Sequence, residues 1–462
     1  MARRRHRTSF SHHIRQVVCL HAAALLAAAL AAFPAALPAQ TVDSALAAYI
    51  DSLPMVDEHA HPLRWVAPGA PADTEYDALP LEGMPAFDVP ARLRPDNPEW
   101  VRAWQAMYGY PYDDASDEHV RDLAARKERV RAEQGARFPA WVLDRAGIDV
   151  MLANRVAMGE GLDAPRFRWI AFADPLLLPL DVRTEAARSP DFAVLYPNEA
   201  KLLARYERAL GVHARPATLD AYVRTVVIPT LERMKRDGTV GIKFEAAYLR
   251  PLDFTAVPED SAARIYARHA RAGASPPSHA EYTALENYLM HAIAREAGRL
   301  SLPIQIHVLG GYGSFYSICG SEPLQLEPLL NDPDLREARF VIVHGGWPFP
   351  SETAALLGKA NAYADLSTMT LILSARELST IAREWLTLYP EKVLVGTDAF
   401  EFGGNIGWEE VAWVSATTAR RALAMALSGM MADGEVSRAR AEQLARMALR
   451  DNAVALYHLE KP

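Results

Sequence analysis

The sequence predicts an α/β protein, a TIM-type (β/α)8 barrel with a helical insertion after strand 1, on three observations. Eight short runs rich in apolar and β-branched residues recur along the chain and end in polar residues. Longer stretches with helical spacing separate them. The runs are apolar nearly throughout, as in a sheet covered on both faces, which is the parallel α/β arrangement. A doubly wound open sheet is the rival. It would carry a Gly-rich phosphate turn after its first strand, and "DEHAHPLRW" has none.

Taken in order, residues 1–39 read as an export signal: "MARRRHR" is a basic start, "AAALLAAALAAF" an apolar centre and "ALPAQ" a small-residue exit near Ala39. The apolar run is shorter than the roughly 20 residues a bilayer span needs, so the expectation is a periplasmic or secreted protein with no stable membrane insertion. Loss of the five arginines in 1–39 leaves 44 basic against 57 acidic residues, which argues against a nucleic-acid partner. Cys19 leaves with the signal and Cys319 alone remains, so the exported chain has no internal disulfide and relies on its core. Residues 40–462 are read as one barrel, because barrels of this kind exceed about 250 residues as a single unit.

The first strand is "MVDEH" within "PMVDEHAHPLRW" (54–65). Residues 66–140 break the rhythm: a Pro-rich, charged stretch gives way to "DEHVRDLAARKERVRAEQGARF", read as a lid or side wall over the barrel mouth with a solvated helix face. The remaining strands are "IDVMLANR" (148–155), "RWIAFADP" (168–175), "TVGIKFEA" (239–246), "LPIQIHVLGG" (302–311), "ARFVIVHGG" (338–346), "NAYADLST" (361–368) and "KVLVGTDA" (392–399). Helices are expected over 218–238 and 281–300, a second insertion over roughly 250–280, and a tail of helices packed on the outside of the barrel.

In such a barrel the carboxyl ends of the strands face the active-site mouth. Those ends carry His59 and His61, Lys243 and Glu245, His307, His344 and Asp398. Alternation in an extended strand puts His59 and His61 on one side, where two neutral imidazoles can hold a metal. Each residue has a plainer role: His307 or His344 as a core histidine, Asp398 as a helix cap. Taken together at one end of one barrel, they predict a metal centre. The other six histidines after residue 39 fall in helical or loop patterns and are read as solvated or helix-lining. Lys243, inside an apolar strand, needs a carboxylate partner, a depressed pKa or modification.

With these motifs the chain resembles the amidohydrolase superfamily over about residues 53–458, and more narrowly its amidohydrolase-related branch that is in some organisms fused to glutamine-synthetase-like domains. The likeness rests on "VDEHAHP", "AGIDVMLANR", "GIKFEAAYLRP", "LPIQIHVLGGYG", "FVIVHGGWPFPSETAALL", "ANAYADLS" and "VLVGTDA". The resemblance implies a distorted form of the (β/α)8 barrel with one or two divalent cations, usually Zn2+. His59, His61 and Asp398 would hold the first and His307 with His344 the second, bridged by a carbamylated Lys243. In single-metal relatives His59, His61, His307 and Asp398 bind the ion and His344 stands behind. Here Glu245 lies on the same side of the strand as Lys243 and is an alternative ligand or ion-pair partner.

The function this implies is hydrolysis of an amide, lactone or related C–N or C–O bond in a small substrate through metal-activated water. Asp398 would be the general base, with His344 polarising the carbonyl. Arg250 would pair with a substrate carboxylate, and Tyr248 and Tyr312 would shape the pocket. The same ligand set supports decarboxylation, other lyase chemistry or uronate-type isomerisation, which is the alternative. A non-catalytic binding protein on the same barrel is a third reading.

Overall fold

The computed structural model describes residues 42–79, 88–309, 311 and 313–459. The expected signal segment with Cys19, positions 80–87 of the excursion, and Tyr312 lie outside the described residues. Eight strands pair in sequence order, every pair parallel: β1 (Met55–Ala60), β2 (Ile148–Arg155), β3 (Phe167–Phe172), β4 (Gly241–Phe244), β5 (Ile304–His307), β6 (Phe340–Val343), β7 (Ala362–Asp365) and β8 (Val393–Leu394). The ring closes just beyond β8, where Glu58 N–H donates to the Val395 carbonyl (3.0 Å) and Asp398 N–H to the His59 carbonyl (2.7 Å). The (β/α)8 barrel is therefore present, and each predicted run supplies one strand.

Side-chain parity divides the core into two layers. Val56, Leu152, Ile170, Val341 and Leu394 pack together inside the barrel. Their neighbours Ile242, Phe244, Ile304, Ile306, Phe340 and Ile342 pack outward in the large cluster shared with the helices. With Val56 inside, strict alternation would send Glu58 inward and His59 and His61 outward. The register prevents this: Asp57 pairs with Met151 but Ala60 with Ala153, so β1 carries one extra residue. Such a bulge reverses the parity downstream. Glu58 and both histidines consequently face the interior.

The tail departs from expectation. Leu456, Tyr457 and Leu459 join the inner cluster instead of lying on the barrel's outside. The Tyr457 hydroxyl donates to Glu58 and receives the Gln305 amide (3.1 Å), so it joins a buried polar network in the barrel floor. The expected helix 218–238 is interrupted by a π-turn at Val223–Val227 immediately before Pro229, whose missing N–H breaks the i→i−4 ladder. The helix His279–Arg299 starts on a reciprocal Ser278–Glu281 capping box.

The excursion contains helices Pro98–Tyr108 and Asp117–Gln134. The second is solvated apart from Leu123 and Lys127, and Lys127 ties it to the barrel helix Trp408–Ala432 through Glu409 (3.2 Å) and Glu410 (2.7 Å). No helix among the described residues is long and apolar enough to cross a membrane.

Candidate metal centre

The strand ends bring the expected polar residues together. His59, His61 and Asp398 each offer a ligand atom, and these lie within 4.8 Å of one another. Asp398 Oδ1 is 3.3 Å from His59 Nε2 and 3.8 Å from His61 Nε2. The ring of His344 stands 5.0 Å from that of His59 and 4.7 Å from that of His307. His307 and His344 lie beside this triangle, joined by a 3.1 Å contact between His344 Nε2 and His307 Nδ1.

Among the described residues, three of the five non-glycine positions with left-handed backbone are in the site: His344 (φ 65°), Thr368 (φ 53°) and Asp398 (φ 51°). Each marks the point where its strand turns sharply out of the barrel, and for a β-branched threonine this is a costly conformation. The strands are shorter than the predicted runs for this reason. After His344 the chain continues through Gly345 at φ 59°, where a Cβ would collide with Met369 and Trp385. Glycine is required there by both backbone and space.

Residues outside the predicted set orient the imidazoles. Gln305 donates its amide to the Glu58 carbonyl and carboxylate (both 2.8 Å), which turns its own oxygen toward His59 Nδ1 at 3.2 Å. His59 Nδ1 therefore carries the hydrogen, and its Nε2 lone pair faces Asp398. Asp77 Oδ2 sits 3.2 Å from His61 Nδ1, an ion-pair contact without the geometry of a hydrogen bond. Ser367 Oγ (2.9 Å) and Thr368 Oγ1 (2.8 Å) both lie on His344 Nδ1, and Thr368 also donates to Asp398 Oδ2. Gln305 was open to detection as the residue two before His307, on the same face of β5. Ser367 and Thr368 gave no spacing signal, and Asp77 lies in the irregular excursion.

Burial, with the charges of Lys243 and His61 close by, holds His59 well below the usual histidine range. Burial does the same to His344, and burial with Lys243 takes His307 down to about 3. The rings are thus neutral, the form that donates to a metal. Asp77 is held below the ordinary carboxylate range: burial pushes it up, but the neighbouring His61 outweighs that. Glu245 is pushed well above it by burial and then by Asp77.

Lys243 is fully buried, with Nζ 3.3 Å from His59 Nε2 and 3.5 Å from Glu245 Oε1. Glu245 is fixed by its backbone N–H, which donates to Asp174 Oδ1 at 2.7 Å. Tyr248 lines the cavity, its ring 4.7 Å from that of His307. Arg250 does not reach it. Its guanidinium is occupied by Glu286 (3.0 Å), Asn287 (2.7 Å) and the Asp253 carbonyl (2.8 Å), so the expected carboxylate anchor is a buried structural ion pair. Tyr312 lies outside the described residues.

The cavity above these residues measures about 510 Å³. Tyr76, Leu79 and Val89 of the excursion, Tyr248, Leu309, Phe400 and Phe402 form apolar walls, and Asp77, Glu245 and Glu401 are acidic rim positions. The donor set fits a divalent cation. It combines neutral imidazoles with a carboxylate, and His307 Nε2 is buried with no hydrogen-bond partner.

No family model matches the chain, and no curated protein matches it. Among solved structures it is similar to a Lactobacillus casei protein assigned to the metal-dependent hydrolases, at 18% identity and TM-score 0.51 over 90% of this chain and 98% of that one. It is also similar to the uronate isomerase of Thermotoga maritima (14%, TM-score 0.60, 89% and 96%) and the glucuronate isomerase of Caulobacter crescentus (14%, 0.59, 90% and 94%). These likenesses establish a shared fold, one on which both metal-dependent hydrolases and sugar-acid isomerases are built.

Proposed function

We propose that the protein is a metal-dependent hydrolase acting on an amide, lactone or related bond of a small substrate with an apolar body and no negative charge. The observation that carries this is the pairing of a histidine–aspartate site with an apolar, acid-rimmed cavity. No Lys or Arg lines that cavity among the described residues, and the sequences of 80–87, 310 and 312 contain none. Away from the cation, an anionic substrate group would face Asp77 and Glu401 with no Lys or Arg of the described lining to balance it. The carboxylated substrate expected from Arg250 is set aside on that ground. Sugar-acid isomerisation, the alternative, is disfavoured by the apolar share of the walls and by the lack of a Lys or Arg among the described lining residues.

Single-metal binding is the reading the contacts favour. His59, His61 and His307 would supply Nε2 atoms and Asp398 an oxygen, while His344 Nε2 is engaged by His307. Lys243 would stay unmodified beside Glu245, 3.5 Å away, in place of a bridging carbamate. A cation such as Zn2+, when bound there, acidifies water and polarises a carbonyl. The chain's own part is proton handling. Asp398, steadied through Oδ2 by Thr368, would take the proton of the attacking water and deliver it to the leaving group. The apolar walls exclude competing water.

Elemental analysis should find one equivalent of divalent metal per chain. Metal-replete protein should then turn over neutral aryl or alkyl amides and esters with incorporation of oxygen from 18O-water, and leave matched carboxylated substrates untouched. Preference for carboxylates, carbon dioxide release, or aldose–ketose conversion without 18O uptake would overturn the reading.

A further inference from the structure

We infer that the Ser367–Thr368 hydroxyl pair at the end of β7 sets the proton positions of two histidines in series, and so delivers the His307 Nε2 lone pair to the cavity. The chain of donors is fixed at one end. The single hydrogen of Thr368 Oγ1 goes to Asp398 Oδ2. The Thr368 oxygen then faces His344 Nδ1, 2.8 Å away, with lone pairs only, and Ser367 Oγ stands beside it at 2.9 Å. Whatever hydrogen Ser367 offers, a bare Nδ1 would set its lone pair against those of Thr368 Oγ1 at 2.8 Å, so we place the ring hydrogen on His344 Nδ1.

A neutral imidazole has one N–H, so His344 Nε2 is a bare acceptor. Its partner at 3.1 Å is His307 Nδ1, which must donate. His307 in turn has its lone pair on Nε2, and that atom is buried with no partner. Free neutral histidine in water favours the opposite Nε2–H form, so the arrangement is imposed by the protein. Thr368 accepts its left-handed backbone at φ 53°, and this conformation aims one hydroxyl at both His344 and Asp398. The effect on metal affinity rests on the reading of the site as a metal centre; the placement of the hydrogens does not. Thr368 acts here as a positioning residue.

The test uses the full chain with 15N-labelled histidine, freed of metal. Ring 1H–15N correlation spectra should show His344 and His307 as Nδ1–H forms in the wild type and in Thr368→Ser. In Ser367→Ala/Thr368→Val both should revert to Nε2–H. In the same set, Co2+ affinity by chelator competition should fall about 10–100-fold in the double variant and hold in Thr368→Ser. An Nε2–H signal from either ring in the wild type overturns the inference, as does a double variant with unchanged spectra and affinity. Should the double variant fail to fold, the wild-type and Thr368→Ser spectra still decide. Nδ1–H rings in a wild-type chain that binds no metal would sink the metal reading and leave this one standing.

Discussion

The backbone N–H of Asp398 donates to the carbonyl of His59 over 2.7 Å, so the hydrogen bond that closes the barrel also joins two of the site's central residues. Closure and site geometry are one constraint, which separates the effects of two substitutions. Asp398 sits at φ 51°, a conformation asparagine tolerates and alanine does not. In metal-free protein Asp398→Asn should keep the melting temperature near wild type, while turnover at saturating metal falls about 10²–10⁴-fold, the ordinary worth of a general base. Asp398→Ala should lose stability as well. Thermal melts alongside kinetics on any accepted amide distinguish the two, and a fully active Asp398→Asn would remove the base from the scheme.

Metal removal should be visible without any substrate. A cation that binds the folded chain and not the unfolded one stabilises by about 2.7 kcal/mol at a hundredfold excess over its Kd. Dialysis against a chelator should therefore lower the melting temperature by several degrees, and Zn2+ or Mn2+ should restore it. His59→Ala/His61→Ala, which removes two ligands, should melt at the same temperature with or without chelator. A chelator response that persists in this double variant would place the metal elsewhere.

All eight strands and their order were legible in the sequence because each run is apolar on both faces, a pattern that only a covered parallel sheet produces. The site was legible in part. His59 and His61 do share a side, yet they face inward because of the β1 bulge opposite Met151–Ala153, and a one-residue register shift leaves no mark in composition. Arg250 is read from sequence as a substrate anchor, but its partners Glu286 and Asn287 stand on the expected helix 281–300, and nothing in the residues around Arg250 marks that pairing. Thr368 and Ser367 were passed over because a hydroxyl at a strand end has no distinctive spacing. Its meaning depends on His344 and Asp398 arriving from other strands.

Lys127 lies between two buried carboxylates, Glu409 and Glu410, of the helix Trp408–Ala432, with Arg131 also on Glu409. Removing one partner of such a cluster leaves uncompensated buried charge, which costs about 3–5 kcal/mol. Lys127→Met should lower the urea midpoint accordingly. Triple replacement with Glu409→Gln and Glu410→Gln should recover much of the loss, since neutral amides need no counter-ion. A Lys127→Met chain as stable as wild type would mean that Arg131, 2.8 Å from Glu409, suffices alone.

The same cluster fixes the acid limit of the fold. Burial pushes Glu409 up, but Lys127 and Arg131 override it and take the carboxyl down from 4.5 to about 2. A folded pKa below the unfolded one gives stability that is complete above about pH 4.5 and drains away as pH falls toward 2. Glu410 runs the other way: burial, ahead of the opposing Lys127, raises it to about 7, so its uptake of a proton between pH 7 and 4.5 favours the folded chain. Urea midpoints should hold up as pH drops from 7 to about 4.5 and then decline steeply. In Lys127→Met the Glu409 carboxyl loses its principal cation and its pKa rises, so the decline below pH 4.5 should flatten. Parallel curves for the two proteins over pH 2.5–7 would show that Lys127 does not govern the acid limb.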